Sequence, residues 1–515
     1  MPLRQLSEVV NMPSRRALVV VPPPAAYEPR PGPLDVLKKV LRVVLSVISV
    51  LMLLLFIATL FMGANFFFGT PLNMELAPVA SPSPYPAYPP WEEQLAIHVP
   101  WAKIWFFNVT LEEGDVLIVR DLNTGATWSY TSNGTDVLTD AFYAGGDGYV
   151  RLSISIEDDG DGITSYGVFG FLVTDIWSLV LTPYLLLFIY AIQLPDVPAW
   201  VLAALLQAIF VFCFIASAVS SRGYHRALID SYGKPLKRAM SNFLYAFPFI
   251  ATASLTGWFI LNLIVTSIGF GTEVKGELPG PIFLLLEVSY AVVIEEVFFR
   301  VLLIGLPMGI AALLAGRGAT TWSGPSALSV FLKGLLCPGA LDRDIRRRVR
   351  PLAWIMVLFS SAIFGLAHVM TGAWEAGKAI TAGAIGLVLG ACFVCYGVYA
   401  SILVHWFFNY HVQVWYVWAV RSRELVALLT AGLIIMVELA IGALSLLMFF
   451  VQGIRMLLRR RKPSYPPPTW PPYQPTALPP AWAQGGRAGP EVVGEQGEKG
   501  RGALLGRDGE PYPLG

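Results

Sequence analysis

From residue 43 onward the chain is dominated by long, nearly uninterrupted apolar runs, separated by short polar or basic stretches and by one extended polar region. The runs fall at about 43–68, 168–193, 197–220, 242–269, 281–315, 351–370, 379–400, 401–420 and 424–454. At about 1.5 Å of rise per residue, some 20 apolar residues cross the ~30 Å hydrocarbon layer of a bilayer, so each run reads as a candidate membrane helix. The region between 92 and 167 follows a different rule. Val150, Leu152, Ile154 and Ile156 alternate with polar residues at period two, residues 117–119 form a second short apolar stretch, and turn sequences (NTG, SNG, GGDG) lie between. That pattern predicts a small β-sandwich-like domain.

The expected organisation follows: a disordered basic, Pro-rich tail (1–35), a signal-anchor transmembrane helix (36–68), a linker (69–91) and a β-rich polar domain (92–167). Transmembrane helices with a basic loop (168–240), a helical core (241–456) and a disordered Pro/Gly-rich tail (457–515) complete it. The tails cannot bury enough apolar surface to fold. Lys38, Lys39 and Arg42 precede the first run, and basic patches at 222–238, 343–350 and 455–462 flank later ones, marking one side as cytoplasmic. Nine crossings would put the basic N-terminal tail outside and the acidic β region inside, against their charges. One run is therefore expected not to cross, with 379–420 and 168–220 the places to look. The fold class predicted is a mainly α polytopic membrane protein with about eight transmembrane helices, an inserted small β-sandwich-like domain and disordered Pro-rich tails.

Composition agrees with the membrane class: of 515 residues, 55% are hydrophobic and 13% aromatic. A net charge of +1 gives no sign of a polyanionic partner, and no nucleic-acid-binding module is present. Cys213, Cys337, Cys392 and Cys395 all lie in or beside apolar runs, which predicts buried thiols and no disulfide framework. Asn108 with Thr110 and Asn133 with Thr135 form glycosylation sequons in the polar region, while the acidic turn at 158–162 lacks the full calcium-loop pattern.

Ionisable residues within the runs carry the chemistry. Glu295, Glu296 and Arg300 lie near the middle of 281–315, where each charge costs about 2.5–3.5 kcal/mol on insertion scales. Glu296 and Arg300 are four residues apart, on one helix face with the acid N-terminal, and can neutralise each other. Glu295 has no partner in its own helix, which suits a general base. His368 follows Phe364 by four residues, and Asn409 follows His405 by four, stacking an aromatic with an imidazole and an imidazole with an amide.

The three groups, Glu295-Glu296-x-x-x-Arg300, Phe364-x-x-x-His368 and His405-x-x-x-Asn409, resemble in order the motifs of the CPBP family of intramembrane proteases. That family, also called ABI, comprises the type II CAAX prenyl proteases and the bacteriocin-processing enzymes. The resemblance covers roughly 240–420 and makes 241–456 a CPBP-like protease core. It implies an intramembrane endopeptidase in which Glu295 and His368 activate a water, His405 and Asn409 stabilise the oxyanion, and Glu296, Arg300 and Phe364 support them. The partners it implies are a membrane-associated peptide or protein substrate and the bilayer, in a multi-pass protein of the cell membrane. A metal-free mechanism is expected, since no H-E-x-x-H occurs; zinc held by Glu295, His368 and His405 is the mechanistic alternative. A non-catalytic scaffold or a transporter with a polar bundle core is the functional alternative.

Overall fold

A computed structural model describes residues 32–458, apart from 70–73, 82–90, 158–166, 188–189, 221–222, 276–279, 318–325 and 423. Nearly all of both tails, and the acidic turn at 158–162, lie outside the described residues.

In order along the sequence the elements begin with helix α1 (Pro33–Phe68), entered through a proline at its first turn. Thirteen described strands follow: β1 (Met74–Ala80), β2 (Glu92–His98), β3 (Trp101–Thr110), β4 (Val116–Asp121), β5 (Thr127–Tyr130), β6 (Val137–Leu138), β7 (Phe142–Tyr143), β8 (Tyr149–Glu157), β9 (Gly167–Thr174), β10 (Val180–Leu181), β11 (Tyr184–Leu187), β12 (Tyr190–Gln193) and β13 (Val197–Pro198). One antiparallel sheet has the order β1-β9-β3-β6, with β7 also on β3; the other has the order β2-β8-β4-β5. Their buried faces meet: Ala102, Ile104, Phe106 and Leu172 of the first sheet share one apolar cluster with Leu117, Val119, Leu152, Ile154 and Ile156 of the second. Phe106 stacks on Trp128 across the gap, with ring centroids 6.3 Å apart.

The run at 168–193, expected to be a membrane helix, is instead the strands β9 to β12. β9 lies between β1 and β3 and is buried on both faces for much of its length, so it reads as a continuous apolar run rather than an alternating one. The β region accordingly begins at Met74, inside the expected linker, and continues past 167. Pro78 is accommodated because β1 is an edge strand.

The helices are α2 (Ala199–Val219), α3 (Tyr224–Gly233), α4 (Leu236–Ala239), α5 (Phe243–Ser267), α6 (Pro281–Glu295), α7 (Leu306–Arg317), α8 (Ala327–Leu336), α9 (Arg343–Met370), α10 (Gly377–Tyr396), α11 (Val398–Trp406), α12 (Val412–Ser422) and α13 (Leu425–Leu458). A π-helical segment, Glu296–Gly305, joins α6 to α7 without a break, and a second, Phe407–His411, joins α11 to α12. Among the described residues seven helices are long and apolar enough to cross a membrane: Val36–Phe68, Ala199–Val219, Phe243–Ser267, Pro281–Gly316, Arg343–Met370, Gly377–Tyr396 and Leu425–Arg455. The protein is a multi-pass integral membrane protein. The expected run at 401–420 lies in the continuous helix Val398–Ser422, whose His, Asn, Gln and aromatic residues keep it out of that set. α10 and α11 are separate because Gly397 holds φ +110° and ψ 178°, a conformation open essentially to glycine alone.

Two features position the site. α9 and α10 approach closely at glycines: a Cβ on Gly386 would stand 3.1 Å from Ser361 Cα and 3.2 Å from Phe364 Cδ1. Glu75 of β1, with no exposure, ties the sheets to the bundle. Its carboxylate accepts from the Ile282 amide at 3.1 Å and from Arg421 Nη1 at 2.8 Å, and its carbonyl accepts from the Gly280 amide at 3.1 Å. The start of α6 and the end of α12 therefore meet at one strand residue. Burial raises the Glu75 carboxyl above the usual carboxylate range even though Arg421 opposes it.

Candidate active site

The two π-helical segments carry residues of the first and third motifs. π turns widen the backbone spiral and occur chiefly at functional sites. In the first, Glu296 and Arg300 remain paired, Arg300 Nε lying 3.4 Å from Glu296 Oε2, and neither side chain has any exposure. The pair extends further than one helix. His405 Nδ1 donates to Glu296 Oε1 at 2.9 Å, and the Ser401 hydroxyl donates to Glu296 Oε2. Arg300 Nη1 lies 3.3 Å from Ser360 Oγ, which itself donates to the Phe299 carbonyl at 2.6 Å, and the guanidinium sits over the Phe364 ring, 4.9 Å from its centroid. Glu296 and Arg300 thus join α6, α9 and α11.

With Nδ1 engaged, His405 turns Nε2 toward Glu295 Oε2, 3.5 Å away, and toward Asn409 Nδ2, 3.3 Å away. Glu295 keeps 23% exposure, yet its Oε2 is buried and accepts no hydrogen bond from the protein. In α9, His368 Nδ1 donates to the Phe364 carbonyl at 2.8 Å, which assigns the ring tautomer and leaves the Nε2 lone pair free. Phe364 packs against both imidazoles, its centroid 4.8 Å from His368 and 5.9 Å from His405. All seven residues named from the sequence are therefore brought together. The neighbourhood holds an unpaired carboxylate oxygen, an imidazole with an open lone pair, and an imidazole–amide pair on a separate helix.

Among the described residues no three His, Cys, Asp or Glu side chains are grouped so as to hold a metal ion. Glu295, His368 and His405 are accordingly not grouped in that way.

Residues 277–411 match the family described as Type II CAAX prenyl endopeptidase Rce1-like. This agrees with the CPBP resemblance carried by the three motifs, all of which lie inside the match. No curated protein matches the sequence. The Rce1-like segment begins just before α6 and ends at His411, so the sheets, α1, α2, α5 and α13 lie outside it.

Several polar residues at the Rce1-like segment escaped the sequence reading. Ser360 and Ser401 gave no signal, because serine is common within membrane helices. His411 is fully buried; it stacks on Phe407 at 5.1 Å and hydrogen-bonds through Nε2 to Glu438 Oε1 of α13 at 2.7 Å. A carboxylate in the middle of the apolar run 424–454 was the available clue. Tyr410, next to Asn409, accepts from Gln207 of α2 at 2.6 Å and donates to the Leu60 carbonyl of α1 at 3.3 Å. Lys378, just inside α10, lies 3.8 Å from the centroid of the Trp374 ring.

Proposed function

We propose that this protein is an intramembrane endopeptidase that hydrolyses peptide bonds of membrane-associated polypeptides. The observation that carries the reading is the buried Glu295 Oε2, left without a hydrogen bond while its neighbour Glu296 is fully engaged with Arg300, His405 and Ser401.

In this mechanism a water held between Glu295 and His368 Nε2 loses its proton to Glu295 as its oxygen attacks the scissile carbonyl carbon. The carbonyl oxygen gains negative charge facing the Asn409 amide, which His405 Nε2 orients, in surroundings of low dielectric. Collapse of the tetrahedral intermediate breaks the C–N bond, and the proton held by Glu295 passes to the departing amine. The new acid gives its remaining proton to the amine, so the products are a carboxylate and an ammonium group, with no other reactant and no cofactor required. Glu296 and Arg300 act as the neutral hub that fixes His405, and Phe364 holds the two imidazoles apart.

The same reading takes Val398–Ser422 as an eighth crossing. Both ends of the bundle then lie with the basic patches on the cytoplasmic side of the cell membrane, and the sheets lie opposite.

The test is cleavage of a library of membrane-anchored peptides by wild type, Glu295→Ala and His368→Ala in the same bilayer. General-base catalysis contributes about 10²–10⁴-fold, so each variant is expected to lose at least about 100-fold. Undiminished cleavage by either variant overturns the mechanism. Loss of activity on exhaustive chelation, restored by zinc, replaces it with the metal version.

A further inference from the structure

Lys378 is a cation at the edge of the site that the mechanism leaves unused. It stands at the second position of α10, directly after the turn 371–376 that links α10 to α9 and hence to His368. Its ammonium rests on the Trp374 ring at 3.8 Å, and the centroid of that ring is 6.3 Å from that of His368. Through the Trp374 ring the ammonium adjoins the imidazole of His368. Yet among the described residues Lys378 makes no ion pair: Glu295 turns its Oε2 to His405 instead. Glu375, one turn earlier, is occupied with the Glu273 amide at 3.1 Å.

A partly buried ammonium on an aromatic face, with no anion within contact among the described residues, is an incomplete arrangement. Across Trp374 it faces His368, one of the two groups that would hold the attacking water. We propose that Lys378 binds a carboxylate of the polypeptide substrate and so sets a preference for substrates bearing one near the cleaved bond. This deepens the endopeptidase reading and rests on it. The carboxylate has two sources, the substrate's own C-terminus or an Asp or Glu side group, and Lys378 would donate the same charge-assisted hydrogen bond to either.

Four matched membrane-anchored peptides separate these sources: free or amidated C-terminus, each with or without one acidic residue on the departing side. A charged hydrogen bond is worth about 10- to 100-fold. Lys378→Met is therefore expected to raise KM about 10- to 100-fold more for carboxylate-bearing peptides than for the amidated neutral one, and Lys378→Arg to keep most of the preference. The peptide that feels the change identifies the source. An equal effect on all four peptides, or one confined to kcat, overturns the proposal and assigns Lys378 to tuning Glu295 and His368 or to the fold. Equilibrium binding of the same peptides to Glu295→Gln protein, with and without Lys378→Met, reads the preference without turnover. A carboxylate preference that depends on Lys378 there, alongside absent cleavage by wild type, faults the endopeptidase reading alone. No such dependence overturns the binding proposal.

Discussion

Replacing Glu296 with glutamine removes one charge from a position with no exposure while keeping an acceptor oxygen for His405 Nδ1. The energetic consequence can be worked from the geometry. At the observed separation of 3.4 Å and an effective dielectric of about 20, the attraction between Glu296 and Arg300 is about 5 kcal/mol. Breaking a buried pair by removing one member costs about 3–5 kcal/mol, because the surviving charge stays in a dry setting. In direct contact Arg300 would retain Ser360 and the faces of Phe299 and Phe364, which are neutral partners. The single variant is therefore expected to lose about 3–5 kcal/mol in reversible unfolding measured in bicelles. Glu296→Gln combined with Arg300→Met removes the stranded cation, and the double variant should recover at least about 1 kcal/mol over the single one. A single variant within about 1 kcal/mol of wild type, or a double variant that loses the sum of its parts, refutes the view of Glu296 and Arg300 as a neutral buried hub.

Two further outcomes are expected. Glu438→Leu strands the His411 imidazole and should cost about 2–3 kcal/mol, whereas His411→Phe with Glu438→Leu, which suits the aromatic surroundings of Phe56 and Phe407, should regain most of it; equal losses in the two would argue against the pair. The Glu75 carboxyl, raised by burial, binds its proton more tightly folded than unfolded, so its contribution to stability is full below the ordinary value of 4.5 and is lost as pH rises through the raised one. Glu75→Gln should flatten that slope in unfolding measured against pH, and an unchanged slope would place its origin elsewhere.

Much of the site was legible because its cost is local. A charge or imidazole in an apolar run is conspicuous however the protein folds, so Glu295, Glu296, Arg300, His368, His405 and Asn409 stood out from composition and spacing alone. The membrane class and the basic patches were equally plain, since both depend on residue type along a single segment. What each polar group bonds to was not legible. Glu296 and Arg300 satisfied the four-residue rule for an isolated helix, and nothing in that rule shows that Glu296 also holds His405 and Ser401, residues more than a hundred positions away.

The sequence by itself determined which residues could not be left in lipid, and which side of the bundle is basic. Tertiary structure decided whether 168–193 was a helix or strands, because a strand enclosed by two neighbours is apolar on both faces and cannot be told from a membrane span by hydropathy alone. It also decided that π turns carry Glu296 and Asn409, that Glu438 answers His411, and that Lys378 rests on the Trp374 ring next to His368. Each of these depends on a partner supplied by another helix, and the pairing energy that selects it exists only once the helices have packed.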